Sequence, residues 1–454
     1  MRTNQPHRNW AIDALFTLLL LAGSAKLPAQ PVPHHFSGIT VAPDQAATLS
    51  LDGSAAGLVN LTGTISNQFR LLSDLYPVET STDLIDWTRL ALLRRTNSDA
   101  APLLFQDTHA AGASPRFYRT FTNHLLTAFP RPSGSFAVGT VDRVMMDPAR
   151  TKRYRYSPPT NTFVVTFWYP ADPPAAGTLP APAWSQRFAA DATFWSAYAA
   201  MYGFDSRWGL IAPKLVGQRF RGVPLAAGTN KFPVVLYAHG FQGTREASSE
   251  VAEELASHGY VVVATDHPDC WAAAFPDDGP YLLGSTSFEI PGRLADMEFL
   301  VGALTQLSSS DPLFAGRLDL DRIGVSGMSL GGMVVETCRS DRRVKCAAVW
   351  EGASMNLNGA GLQKPFLVAV AQSTSLYSDA QWLFSKAITN ATFLQVKSTD
   401  HITGTDGGWT AELPSGRAPA VAINACFVWF FDTYLKGETP PFPTNPEIYN
   451  VMRK

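Results

Sequence analysis

Cysteine is scarce in this chain, with four residues among 454. That is too few for a disulfide framework. None forms a CxxC pair, so a zinc knuckle and a thioredoxin-like redox motif are excluded. Charge is sparse as well. Charged residues make up 16%, and 36 Lys+Arg against 38 Asp+Glu leave a net charge of −2. Basic residues occur together only in short clusters such as Arg94-Arg95 and Lys152-Arg153. The electrostatic footprint of a nucleic-acid-binding protein is missing, and no nucleic-acid partner is expected. Beyond the N-terminus, no segment approaches the ~20 consecutive apolar residues that a membrane-spanning helix needs.

The N-terminus itself reads as a targeting segment. Arg2, His7 and Arg8 give a basic start, and the apolar run Leu15 to Ala22 follows. Small residues come next at Gly23, Ser24, Ala25 and Ala29. This order is that of a secretory signal peptide spanning 1–29, cut after Ala25 or Ala29, which sends the protein to the periplasm or outside the cell. A membrane anchor is the competing reading, and the apolar run is short for it. No cysteine follows for a lipid anchor.

What is plentiful is apolar surface and turn-forming residues. Hydrophobic residues reach 46%, with 34 Gly, 33 Pro and 11 Trp. Such a chain is globular rather than disordered, and its length suits two domains, or one large domain with an added module. Residues 38–122 hold short strand candidates such as Ile39-Thr40-Val41, Ala47 to Leu51 and Leu58 to Thr62, punctuated by Gly, Pro, Asp and Ser. They read as a small β-sandwich-like module. Residues 123–135, with Pro130, Pro132, Ser133 and Gly134, read as a linker.

From 136 to 438 strands alternate with helices. Buried-type strands are expected at Phe163–Tyr169, Val234–Ala238, Val261–Thr265, Ile323–Ser326, Ala347–Trp350, Phe366–Val370 and Thr392–Val396. Helices are expected at Glu246–Ser257, Arg293–Leu307, from the end of the fourth strand to Cys338, and at Ala420–Leu435. Continuous apolar strands alternating with helices imply an α/β fold, with a mostly parallel sheet covered on both faces. The Pro-rich stretch 439–454 reads as an extended tail.

Gly327-Met328-Ser329-Leu330-Gly331 is a GxSxG pentapeptide between an expected strand and an expected helix. That context makes it a nucleophile elbow, which exposes a serine hydroxyl on a tight turn. A serine at neutral pH needs a base, and the base needs an acid to orient it. His401 follows the last buried strand, after the serine in chain order, and is the expected base. Two acids compete: Glu351 at the end of the strand after the nucleophile helix, and Asp379 after the next strand. Glu351 is preferred. Asp400 neighbours the histidine and is expected to point elsewhere. His239-Gly240-Phe241 follows the strand 234–238, so the N–H of Phe241 and that of Leu330 are the expected oxyanion donors. His239, Met328 and Trp350 are the expected substrate-binding side chains. Asp266, His267 and Asp269 are read as loop-shaping. No metal site and no cofactor are expected.

Together these residues resemble the α/β-hydrolase superfamily, and within it the platelet-activating factor acetylhydrolase family of plasma and bacterial type. The resemblance covers about residues 136–437. It is carried by Phe167-Trp168-Tyr169-Pro170, His239-Gly240, Ser257-His258-Gly259-Tyr260, Asp266-His267, Asp319 to Val325, the elbow and Arg342 to Ala348. In that family the acid at the position of Glu351 is normally Asp. The resemblance implies a serine esterase acting on short-chain or phospholipid acetyl esters, with a small-molecule or lipid ester as partner, a lipid or polymer surface as a further contact, and no obligate protein partner. A polyester or cutin hydrolase, and a surface-binding protein with an inert hydrolase domain, are the alternatives. Residues 39–122 resemble a β module of secreted Verrucomicrobia-type proteins, through Glu79 to Leu84, Trp87, Phe105-Gln106-Asp107 and Arg116 to Arg119. The aromatic stretch Trp184–Phe204 reads either as core or as a lipid-facing element. Cys338 and Cys346, eight apart, are open either to pairing or to remaining free thiols.

Overall fold

The computed structural model describes residues 129, 131–150, 161–175, 178–182, 216–275, 278–282, 287–352, 361–372, 374–388, 390–397, 399–406 and 418–454, with strand segments between 35 and 120. The leader 1–29 and the aromatic stretch 184–204 lie outside the described residues. Seven N-terminal strands are β1 (His35–Val41), β2 (Ala47–Asp52), β3 (Leu58–Asn60), β4 (Leu75–Ser81), β5 (Thr88–Arg95), β6 (Leu103–Asp107) and β7 (Phe117–Thr120). They form two small sheets, ordered β1-β2-β6 and β3-β5-β4-β7. Every pairing in them is antiparallel. The Tyr118 hydroxyl on β7 donates to Asp107 on β6 over 3.0 Å and ties one sheet to the other.

A ten-stranded sheet carries the rest of the chain. Its strands are β8 (Ala137–Met146), β9 (Thr162–Ala171), β10 (Arg219–Arg221), β11 (Phe232–Ala238), β12 (Val261–Thr265), β15 (Leu318–Met328), β16 (Val344–Trp350), β17 (Phe366–Ala371), β18 (Ala391–Val396) and β19 (Ile448–Arg453). A separate hairpin joins β13 (Ala272–Phe275) to β14 (Asp278–Leu282). The order in the large sheet is β10-β8-β9-β12-β11-β15-β16-β17-β18-β19. From β12 to β18 all neighbours run parallel. The β8–β9, β9–β12 and β18–β19 pairs are antiparallel.

Alternation along each strand sends its side chains to two faces. Val234, Leu236, Val261, Val263, Val325 and Val368 pack on one side with Met297, Leu300, Val301 and Leu304 of α2 (Ile290–Ser310), Val334 and Val335 of α3 (Val334–Ser340) and Leu383 of α4 (Tyr377–Lys386). Val235, Tyr237, Val262, Ala348 and Leu367 pack on the other with Val251 and Leu255 of α1 (Ser249–Ser257) and Ile423, Phe427 and Phe430 of α5 (Ala418–Phe431). Two covered faces explain why the central strands are apolar along most of their length.

Three features depart from the sequence expectations. β15 starts at Leu318, ahead of Ile323. The elbow opens on a 3₁₀ turn, Ser329–Met333, before α3 begins. The stretch past Thr439 returns to the sheet as β19. Of the two readings open for Cys338 and Cys346, the structure has the free thiols: both are unpaired and buried, as are Cys270 and Cys426, and burial pushes the Cys338 thiol up to about 12. Among the described residues, no helix is long and apolar enough to cross a membrane.

Candidate active site

Ser329 sits at the tip of β15 with φ +55°, a left-handed backbone that lifts its side chain off the strand end. The glycines around it are required by space. A Cβ on Gly327 would lie 2.2 Å from the Gly331 carbonyl oxygen, and one on Gly331 2.1 Å from that of Ala238. The elbow therefore packs backbone on backbone against β11.

His401 reaches the serine from the loop after β18. Its Nε2 lies 2.8 Å from Ser329 Oγ, and its Nδ1 lies 3.1 Å from Glu351 Oε2. A carboxylate facing Nδ1 places the proton there and leaves the Nε2 lone pair for the serine hydroxyl. Glu351 is wholly buried, immediately after β16, with φ +47°. Its Oε1 accepts the Ala371 N–H (2.5 Å) and its Oε2 the Thr374 hydroxyl (2.6 Å). Three donors thus fix the carboxylate. The His401 side chain is 33% exposed, so the cluster opens to solvent.

The loop bearing His401 is clamped from several sides. The Trp350 indole N–H donates to the His401 carbonyl over 3.1 Å. Asp400 turns away and accepts from the Ile402 N–H and the Thr403 hydroxyl. Asp406 accepts from the Ser249 hydroxyl (2.5 Å) and the Glu250 N–H (3.1 Å) at the start of α1. Burial pushes the Asp406 carboxyl up to about 8, against the lowering effect of those two donors. Burial raises Glu250 as well, with the Glu254 and Asp406 carboxylates adding to it. An acid whose pKa is raised on folding contributes stability at low pH that is lost as pH climbs from the unfolded value, about 4, to the folded one. Asp406→Asn keeps an acceptor and removes that titration. The variant should gain melting temperature over wild type progressively from pH 5 to 8, measured by circular dichroism. A difference constant across that range would count against this assignment.

The remaining sequence candidates fall in different places. Asp379 is exposed in the first turn of α4, whereas the Nδ1 of His401 faces Glu351. Gly240 approaches the nucleophile so closely that a Cβ there would sit 3.2 Å from that of Ser329, which brings Phe241 beside the site. The Phe241 ring packs edge-on against Phe288, with centroids 4.6 Å apart. Leu330 follows the serine in the 3₁₀ turn. His239, Met328 and Trp350, expected to touch substrate, are all buried. His239 lies 2.6 Å from the Gly240 carbonyl through Nδ1 and accepts the His267 N–H at Nε2. These three side chains support the site from within instead of lining it. Asp266 pairs with Arg245, His267 with Asp296 and Asp269 with Arg293. Burial holds His267 below the usual histidine range. Among the described residues, no group of three His, Cys, Asp or Glu side chains is placed to hold a metal ion.

Sequence reasoning missed Thr374, Asp406 and Arg293. For Arg293 a signal is present: with Asp296 it opens the stripe Met297, Leu300, Val301, Leu304 on the buried face of α2. Charged residues in an apolar helical register mark a buried network.

A mostly parallel sheet with helices on both faces, and a serine in a left-handed turn after a central strand, define the α/β-hydrolase fold. Within that class part of its sequence is similar to the platelet-activating factor acetylhydrolases. The family described as platelet-activating factor acetylhydrolase, isoform II, matches residues 121–276, a span that includes His239 to Phe241 and ends before Ser329. Platelet-activating factor acetylhydrolase of Cavia porcellus is 23% identical over 256 residues, 48% of this chain and 54% of that protein. An Arthroderma benhamiae protein described as "Probable 1-alkyl-2-acetylglycerophosphocholine esterase" is 26% identical over 163 residues, 33% of this chain and 40% of that one. The chain thus spans about half, or less, of the length of these relatives. Among solved structures, a ferulic acid esterase from Streptomyces cinnamoneus is similar with a TM-score of 0.57 at 24% identity, covering 71% of this chain and 98% of that one. At that identity the likeness speaks for the fold.

Proposed function

We propose that this protein is an exported serine hydrolase that cleaves carboxylic esters through an acyl-enzyme. The observation that carries the reading is the continuous relay from Ser329 Oγ through His401 to Glu351, at 2.8 and 3.1 Å. In the proposed cycle Ser329 Oγ attacks the ester carbonyl carbon and its proton passes to His401 Nε2. Glu351, buried and charge-complementary, holds the imidazolium through Nδ1. The N–H groups of Phe241 and Leu330 receive the developing oxyanion. His401 then returns the proton to the departing alcohol, leaving the acyl group on Ser329. Water repeats the sequence, with His401 as base, and frees the acid. The cycle needs no cofactor.

Short-chain esters, acetyl esters of phospholipids among them, are the proposed substrates. The names of the relatives support that class, and so does the position of the acid after β16. The basic-then-apolar start of the chain supports export. The test joins active-site labelling to a substrate series. A fluorophosphonate should modify one residue, Ser329, identified by peptide mapping. A p-nitrophenyl ester series from acetyl to long acyl, with a 2-acetyl phospholipid alongside, should show kcat/KM falling as the acyl chain lengthens. Labelling elsewhere, or neither labelling nor turnover, would overturn the reading.

A further inference from the structure

Arg293 belongs to the buried face of α2, where a cation is costly unless fully paired. Its pairing is complete on one side and unusual on the other. Nε donates to both oxygens of Asp269 (2.8 and 2.9 Å), and Nη2 closes the ion pair at 2.6 Å. The far ends of the same guanidinium grip the loop after β11. Nη1 donates to the His239 carbonyl over 2.6 Å, and Nη2 donates to the Gly240 carbonyl over 3.0 Å. The Gly240 carbonyl also accepts the Gly243 N–H (3.1 Å) and faces His239 Nδ1 (2.6 Å). Since His239 Nε2 accepts the His267 N–H, its own proton lies on Nδ1 and completes a third donor.

A trans peptide points its C=O and N–H in opposite directions. Three donors pulling the Gly240 oxygen one way therefore aim the Phe241 N–H the other way. A charged donor on the oxygen also polarises the peptide, which makes its N–H the stronger donor. We propose that Arg293 is a positioning residue for the oxyanion: through the Gly240–Phe241 peptide it orients and strengthens the donor that meets the transition state, without touching substrate. Asp269 holds the guanidinium in register for that task. The inference rests on the serine-hydrolase reading above.

Two variants test it. Arg293→Lys keeps a charge opposite Asp269 but offers one donor centre for two carbonyls. The double variant Arg293→Gln/Asp269→Asn removes both charges and keeps an amide pair in their place. Three quantities are compared with wild type after circular dichroism has established folding: kcat/KM on p-nitrophenyl acetate, and the inhibition constants of a methyl trifluoromethyl ketone and of the matching secondary alcohol. The ketone takes Ser329 Oγ at its carbonyl carbon, the serine proton moves to His401, and its oxygen becomes an alkoxide. The alcohol reports ground-state binding alone. We expect kcat/KM to fall about 10- to 100-fold and ketone affinity to fall by the same factor, with alcohol affinity within about threefold of wild type, as loss of an oxyanion donor requires. The inference is overturned by wild-type kcat/KM in either folded variant, by a fall in kcat/KM that leaves ketone affinity unchanged, or by failure of both variants to fold, which would make Arg293 a folding residue. A wild-type protein that neither turns over esters nor takes a fluorophosphonate sinks the reading of the site itself, and is told apart by being seen before any variant is made.

Discussion

Replacing Ser329 by alanine is expected to lower kcat/KM for ester hydrolysis by about 10⁴-fold or more, because the members of a nucleophile–base–acid set act as a unit. The fold should survive. The hydroxyl makes one side-chain hydrogen bond, to His401, and the left-handed turn is held by the backbone packing of Gly327 and Gly331 against their neighbours. A melting temperature within a few degrees of wild type, next to abolished turnover, is the outcome to look for. Residual hydrolysis above about one per cent would place the nucleophile elsewhere, since triad removal leaves far less.

Glu351→Gln carries the second large effect. The two oxygens of Glu351 face three donors, from Ala371, Thr374 and His401. With the Ala371 N–H occupying Oε1, the amide nitrogen of glutamine would take the Oε2 position and oppose the His401 Nδ1 proton. The imidazole would shift its proton to Nε2 and lose the lone pair that activates Ser329. A fall of roughly 10³- to 10⁴-fold in kcat is expected, with little change in KM, as for loss of an orienting acid. Asp379→Asn, on the exposed face of α4, should change neither constant more than about twofold, the usual scale for surface changes away from a site. Steady-state kinetics of both variants decides between the two acids. The opposite ranking would move the acid to the later strand and bring the polyester-hydrolase reading forward.

Much of the fold and of the site is legible in the order of the residues alone. The elbow stands out because five residues combine a nucleophile with glycines whose lack of a Cβ the turn demands. His401 and Glu351 are legible because each follows an apolar strand, and strand ends are where this architecture gathers its functional groups. The start of β15 is not legible. Asp319, Asp321 and Arg322 interrupt the apolar pattern there, since that end of the strand leaves the covered zone and its register against β11 shifts between Pro233 and Val234. β19 is hidden for a similar reason: half-exposed, it lacks the apolar run of its neighbours. The roles of His239 and Trp350 escape the sequence because residue type suggests contact with substrate, whereas burial turns a ring nitrogen and an indole N–H toward the backbone of the loops they hold. No single-residue signal exposes such a role, because it depends on which carbonyl happens to lie opposite.

The two ends of the large sheet bear on how the protein behaves at high concentration. An unpaired strand edge is a template on which another chain can add a strand and start aggregation. At one end β10 is three residues long, with Arg219 drawn into a 2.7 Å ion pair with Glu253 and Arg221 facing Asp142 at 3.3 Å. It offers an incoming strand little ladder and a charged rim. At the other end β19 is bent by Asn450 at φ +47° and by a slip in register opposite Phe393 and Gln395, and the Arg453 guanidinium lies across the Phe442 ring, 4.0 Å from its centroid. A left-handed residue and a bulky cation both break the flat, regular edge that stacking copies require. A ten-stranded sheet with apolar central strands is an aggregation hazard by composition alone, and among the described residues the strand at each end is short, irregular or charged, which works against such growth.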